Sequence, residues 1–177
     1  MTERTPALLP GTLVESFRLP DVRGGNVSLD DVVARGRVVL VFYRGGWCPL
    51  CNRQLAELSS RYEEFRKAGI EILAISNEEV EQGQRVLDKL GPPFPLLLDR
   101  QAEVIRRLGL LVGRRDVLGW VLRKRGYAHP AVVIVGSDRR IQWSYRGRTY
   151  RDRPSADEIL KAAGTAPSPG GSVEEGV

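Results

Sequence analysis

Apolar residues along the chain alternate between two patterns, short continuous runs and stripes of period three to four. Val38-Val39-Leu40-Val41-Phe42-Tyr43 is β-branched and aromatic throughout, which predicts a strand buried on both faces, as in a parallel sheet covered by helices. Beyond Cys51, Leu55, Leu58, Tyr62 and Phe65 recur at helical spacing and draw one buried stripe. Gly69 closes that helix, and Ile70 to Ile75 reads as the next strand. Ser76 with Glu79 has the form of a capping box opening a helix through Leu90, which Gly91-Pro92-Pro93 stops. Pro95 to Leu98 is a third apolar strand, and Asp99 caps a helix whose Ala102, Ile105 and Leu108 share a side. Ala131 to Val135 and Ile141 to Tyr145 form an antiparallel pair around the turn 136–140, and a last helix begins at Ser155 or Ala156 and ends at Ala163. Ahead of all this, Val14 to Leu19 and Val27 to Leu29 flank a turn with Gly24-Gly25-Asn26, predicting a hairpin, and Ser28 or Asp30 caps a brief helix from Leu29 to Ala34.

Strands that alternate with helices and finish in a hairpin give an α/β fold, a mixed sheet with helices on both faces and an N-terminal β-hairpin. The expected organisation is an extension over residues 1–12, one domain over 13–164 and a flexible tail over 165–177, where Gly, Pro, Ser and Glu cannot bury enough surface to order. Residues 110 to 126 are ambiguous. Their apolar members lie between Arg114-Arg115 and Arg123-Lys124-Arg125, which fits a short amphipathic helix or a loop over the site, acting as a packed insertion or as a partner or dimer surface.

Charge changes little in this picture. The formal net charge is +5, and 23 of the 27 basic residues are arginine, scattered apart from Arg114-Arg115 and Arg123-Lys124-Arg125; this reads as a solvated surface, not a nucleic-acid face. No apolar run approaches the roughly 18 residues of a membrane span. With two cysteines three apart and no leader-like segment, the sequence predicts a cytoplasmic protein with reduced thiols.

The chemistry concentrates in Arg44-Gly45-Gly46-Trp47-Cys48-Pro49-Leu50-Cys51. Proline excludes its predecessor from the α region and suits the first helical position, so Cys48 is the predicted N-cap, Pro49 N1 and Cys51 N3. A sulfur at the N-cap faces unpaired N–H groups and the positive end of the helix dipole, and such settings depress a cysteine pKa from about 8.5 to roughly 3.5–7.5. Cys48 is thus the predicted nucleophile, expected to be exposed, and Cys51 the shielded resolver heading the apolar stripe. One histidine and one cysteine pair are too few ligands for a zinc site, and no cofactor is called for. Arg44, four residues before Cys48, supplies positive charge to the sulfur or is a surface arginine; Trp47 shields the sulfur or simply packs. His129 is a proton donor to the site or a structural residue. Among Arg146, Arg148, Arg151 and Arg153, one reaching the site is plausible from order alone.

Next to a βαβ pattern, Cys-x-x-Cys reads as a thioredoxin-like redox motif, and the chain resembles the thioredoxin superfamily, specifically the peroxiredoxin-like branch of alkyl hydroperoxide reductase and thiol-specific antioxidant proteins, over roughly residues 11–163. Four stretches carry the resemblance. They are Phe17 to Asp21 with Gly24-Gly25 and Val27 to Leu29; Val38 to Tyr43 with Arg44 to Pro49; Phe94 to Asp99 leading to Leu108-Gly109; and Pro130 to Val135. The resemblance implies a thioredoxin-like three-layer sandwich. It also implies a cis peptide at Pro130 and a substrate site around Gly45, Gly46, Trp47, His129 and Pro130. Where that branch places a threonine or serine three residues before the attacking cysteine and a proline seven before, this chain has Gly45 and Val41. Its arginine before the late strand has no in-register match among Tyr127, Ala128 and His129, and Cys-Pro-x-Cys looks glutaredoxin-like. The implied function is thiol-dependent reduction of a hydroperoxide, with Cys51 resolving Cys48 and an external thiol such as thioredoxin or glutathione resetting the pair. The alternatives are a thioredoxin- or glutaredoxin-like disulfide reductase and a redox-sensing interaction protein; a homodimer is compatible with each.

Overall fold

The computed structural model describes residues 8–113 and 126–165. The reading of 110–126 therefore falls mostly outside the described residues, as do the first residues of the extension and the tail.

A small hairpin, β1 (Arg18–Pro20) and β2 (Asn26–Ser28), leads into α1 (Leu29–Val33) and the central strand β3 (Arg37–Phe42). It is shorter than the apolar pattern suggested, because Leu13 bridges Arg140 instead and Val14 donates to the Arg139 carbonyl. After β3 come α2 (Pro49–Ser60), α3 (Tyr62–Lys67) and β4 (Ile70–Ser76). The predicted long helix is broken at Arg61, whose φ of −112° leaves the helical region and whose guanidinium pairs with Glu64 and Asp157.

Next are α4 (Val80–Leu90), β5 (Leu96–Leu98) and α5 (Glu103–Arg107). The cap of α4 is Glu79 rather than Ser76: Ser76 is held in β4 opposite Leu98, and the Gln82 side chain accepts the Glu79 N–H at 3.0 Å. Asp99 does cap α5, from outside it, accepting the Glu103 and Ile105 N–H groups at 2.9 Å each. The short pair β6 (Leu111–Val112) and β7 (Tyr127–Ala128) precedes β8 (Ala131–Val135), β9 (Ile141–Arg146) and the closing helix α6 (Ala156–Thr165).

The main sheet runs β5-β4-β3-β8-β9, with β3, β4 and β5 parallel and β8 antiparallel to both its neighbours. Side chains of β3 alternate between two cores. Val38, Leu40 and Phe42 meet α1 and α5 on one face; Val39, Val41 and Tyr43 meet α2, α3, α4 and α6 on the other. This is the three-layer arrangement with helices on both faces. Val38 to Tyr43 are fully buried, and at roughly 1.5–3 kcal/mol for each large apolar side chain removed from water, the strand anchors both layers.

Topology decides what can meet at the site. Because β8 reverses direction and β9 reverses it again, β9 runs parallel to β3. The carboxyl ends of β3, β4 and β9 and the start of β8 therefore lie at one edge, as the pairings of Phe42 with Ile75 and Ala131, and of Ala131 with Arg146, record. Crevices at the carboxyl ends of strands are where α/β sheets place their chemistry.

Candidate active site

The loop from Tyr43 to Cys48 leaves β3 and turns sharply before α2. Gly45 has φ +148°, and a Cβ there would lie 2.4 Å from the Trp47 indole nitrogen and 2.7 Å from Glu78 Oε1, so only glycine fits. The Cys48 N–H donates to the Gly45 carbonyl at 3.1 Å. Gly46 is clamped from both sides: its N–H donates to Glu78 Oε1 at 2.9 Å and its carbonyl accepts the Asn52 amide at 2.8 Å. The two glycines thus shape the loop that aims the sulfur, and Glu78, buried at the end of β4, holds it.

Cys48 is the N-cap of α2 with extended φ/ψ of −92° and 112°, and Pro49 occupies the first turn, as the proline constraint required. Both cysteines are free thiols. The expected exposure of Cys48 is corrected: it is only 2% exposed, and Cys51 is fully buried. Cys48 packs into the apolar cluster on the α2 side of the sheet, and Arg153 covers it, its Nη2 standing 3.8 Å from Cys48 Sγ and 3.1 Å from Cys51 Sγ. Arg153 comes from the loop between β9 and α6 and is fixed by Gln54, whose Oε1 accepts Nη1 at 3.1 Å while its Nε2 donates to the Pro154 carbonyl at 3.3 Å.

Electrostatics separate the two sulfurs. Hydrogen bonding from the Cys51 side chain is the largest influence on Cys48 and holds its pKa well below the ordinary thiol value; the Cys51 backbone N–H, Arg153 and Arg44 act in the same direction against the burial penalty. Cys51 moves the opposite way, because it shares its proton with the Cys48 thiolate and is buried. These influences drive Cys48 toward the thiolate and Cys51 toward the thiol, the division that attack followed by resolution requires.

Arg44 is not a free surface arginine. Its guanidinium lies 4.6, 4.6 and 4.7 Å from the ring centres of Trp47, Tyr127 and Tyr150, a stacked cation near Cys48. Trp47 packs edge-on against Tyr127 at 6.0 Å, yet remains 42% exposed, so it lines the mouth of the site rather than sealing the sulfur. The buried Nε atoms of Arg44 and Arg153 have no hydrogen-bond partner among the described residues.

His129 Nε2 lies 2.9 Å from the Gly147 carbonyl, an acceptor, so this nitrogen carries the proton and donates. Burial, followed by Arg146, Arg153 and Arg44, pushes its pKa below the usual imidazole value, so the ring is a neutral tether for the loop that carries Arg153. The cis peptide expected at Pro130 is corrected to trans, since no cis bond occurs among the described residues. The chain runs extended from β7 into β8 with the His129 N–H bonded to the Leu110 carbonyl, so no tight turn offsets the trans preference of about 0.5–1 kcal/mol. Pro130 is buried.

The structure therefore brings Cys48, Cys51, Arg44, Trp47, Gly45 and Gly46 together, with His129 behind them. It adds Gln54, Glu78, Tyr150 and, from four candidate arginines, Arg153. Gln54 lies three residues beyond Cys51 on the same helical face, a spacing that could have singled it out. Among the described residues no group of three or more His, Cys, Asp or Glu side chains could hold a metal ion, and no helix is long and apolar enough to cross a membrane.

A Mycobacterium tuberculosis protein named as a peroxiredoxin is 36% identical over 116 residues, covering 66% of this chain and 73% of its own. The thiol-disulfide oxidoreductase ResA of Geobacillus thermodenitrificans is 32% identical over 110 residues, 62% of each chain. Among solved structures, the peroxidoxin BcpB of Mycobacterium tuberculosis superposes with a TM-score of 0.74 at 22% identity, covering 88% of this chain and 94% of its own, a likeness of fold. The AhpC/TSA family model matches residues 10–144. With two free cysteines at the head of α2 and that match spanning most of the sequence, the chain belongs to the AhpC/TSA family and is a thiol-dependent peroxidase or oxidoreductase.

Proposed function

We propose that the protein reduces small hydroperoxides, with Cys48 as the attacking thiolate and Cys51 as the resolving thiol. The observation that carries this reading is the burial of Cys48 beneath a guanidinium that touches both sulfurs. A cysteine that is only 2% exposed suits an oxidant of a few atoms better than a protein disulfide.

The Cys48 thiolate attacks the nearer peroxide oxygen, the O–O bond breaks, and the departing oxygen leaves as water or alcohol after taking a proton. Cys48 becomes a sulfenic acid. Negative charge develops on the departing oxygen, and the Arg153 guanidinium, whose Nη2 touches both sulfurs, is suited to receive it, with Arg44 adding positive charge nearby. The Cys51 thiol then attacks the sulfenic sulfur, expelling water and closing a Cys48–Cys51 disulfide; the two lie three residues apart in the first turn. Two electrons from an external thiol restore the pair. Gly45, Gly46, Trp47 and His129 shape the site rather than react.

The relationship to ResA and the Cys-Pro-x-Cys spacing favour one second reading, reduction of disulfides without useful peroxidase activity. Stopped-flow oxidation by hydrogen peroxide and by a model disulfide separates the two. Faster oxidation by peroxide, with Cys51→Ser reacting once and then stalling, supports the peroxidase; oxidation by the disulfide alone rejects it.

A further inference from the structure

A cleft of about 260 Å³ opens between the first turns of α2 and the loop entering α6; neither cysteine lines it, and it borders them through Arg153. Its lining includes Arg53, Arg151 and Arg153, together with Gln54, Glu57 and Glu158. The two carboxylates are already committed to α6: Glu57 Oε1 accepts the Ala156 N–H at 2.9 Å, and Glu158 Oε2 accepts the Ser155 N–H at 2.7 Å and its hydroxyl at 3.0 Å. The guanidiniums of Arg53 and Arg151 are not so committed. Arg53 has no hydrogen bond or ion pair among the described residues, and Arg151 has only Tyr150, through its hydroxyl at 3.2 Å and its ring at 5.5 Å. The cleft therefore carries three guanidiniums against two carboxylates, each of which already accepts a backbone N–H. Its inner wall, Arg153, is the group that contacts both sulfurs.

From this geometry we infer that the cleft is the docking site for the reductant, a low-molecular-weight thiol carrying carboxylates, with Arg53 and Arg151 binding the carboxylates and Arg153 drawing in the thiolate. The inference rests on the thiol chemistry proposed for Cys48. Oxidation removes the thiolate charge that Arg153 faces, so the guanidinium is freed for a new anion just when a reductant is needed. The incoming thiolate attacks Cys48 Sγ, the Cys48–Cys51 bond breaks, and Cys51 leaves and takes up a proton. A second thiolate attacks the outer sulfur of the mixed disulfide, releasing the reductant as its disulfide and returning Cys48 to thiolate. Two thiols are oxidised and one protein disulfide is reduced.

The test needs neither peroxide nor an intramolecular disulfide. In Cys51→Ser, Cys48 is converted to its mixed disulfide with 2-thiopyridine, and release of the coloured thione is timed against mercaptosuccinate, glutathione, neutral 2-mercaptoethanol and cationic cysteamine, each rate corrected for thiolate fraction. The readout is the ratio of mercaptosuccinate to 2-mercaptoethanol within one protein, which cancels any change in folding or intrinsic sulfur reactivity. Electrostatic focusing in charged clefts is worth 10–10³-fold, so the ratio is expected to fall about tenfold in Arg53→Glu/Arg151→Glu and to decline with added salt in the parent only. An equal ratio in the two proteins, or cysteamine outpacing mercaptosuccinate in the parent, overturns the inference. Failure of hydrogen peroxide to oxidise Cys48 while the ratio holds would sink the peroxidase reading alone, and a Cys48 that never accepts the thiopyridine would sink both.

Discussion

Replacing Arg153 by methionine removes the guanidinium but keeps much of its apolar stem. In the native site its Nη2 is 3.8 Å from Cys48 Sγ. Two unit charges at about 4 Å interact by roughly 4 kcal/mol at an effective dielectric of 20. Arg153 is only part-buried and its charge is spread over three nitrogens, so screening reduces this toward the roughly 1.5–3 kcal/mol of a hydrogen bond to a charged group. At 1.36 kcal/mol per unit, the Cys48 pKa should rise by about one to two units in Arg153→Met. The Cys51 hydrogen bond is the larger influence on Cys48, so the titration is best made in a Cys51→Ser background, where the hydroxyl keeps a donor but cannot ionise. Thiolate absorbance against pH gives the value directly, and the rate with hydrogen peroxide should follow the same curve. Arg153→Lys, which keeps the charge but loses the fork that joins the sulfurs to Gln54, should fall between the two. A Cys48 pKa unchanged to within a few tenths in Arg153→Met would refute the assignment and return the depression to the helix terminus and Cys51 alone.

The thiolate population predicts the pH dependence. Because the Cys48 pKa is depressed to about 5, peroxide reactivity should be flat through neutrality and decline only as pH falls toward that value; a midpoint above 8 contradicts the site's electrostatics. Gln54→Glu should raise the Cys48 pKa, because a carboxylate there competes for Arg153 and can no longer donate to the Pro154 carbonyl. Titration of that variant beside Gln54→Leu checks it, since a value lower than the parent's would mean the amide does not position the guanidinium. Gly45→Ala forces a side chain into a φ of +148° and against Trp47 and Glu78, for a cost of about 1–3 kcal/mol; urea melts with an unshifted midpoint would show that the loop relaxes freely. Phe65→Ala empties a fully buried ring site under the sheet and should lose roughly 3–5 kcal/mol, read by the same melts, with the Cys48 titration left in place.

What could be read from the sequence divides by range of interaction. The cap at Cys48 and the first position at Pro49 follow from the backbone of two adjacent residues, and they stand where the sequence placed them. The alternation of β3 and the ends of the helices are equally local. Ser76 misled because a residue that caps well is also tolerated at a strand end, and pairing with Leu98 outweighed propensity. Arg153 could be narrowed only to one of four arginines, because its approach to Cys48 spans 105 residues and depends on a strand direction: only when β9 is parallel to β3 does the loop after it arrive at the head of α2. The burial of Cys48 was equally out of reach, since position on a helix reveals nothing about the apolar cluster and the cation delivered from elsewhere. A fold that builds its nucleophile from a local turn and its activating charge from a distant loop can therefore change the second without disturbing the first. Arg153 and the cleft around it are accordingly where proteins sharing this cysteine turn should differ most in reactivity, a point that grafting the 147–154 loop onto a relative and titrating its N-cap cysteine would decide.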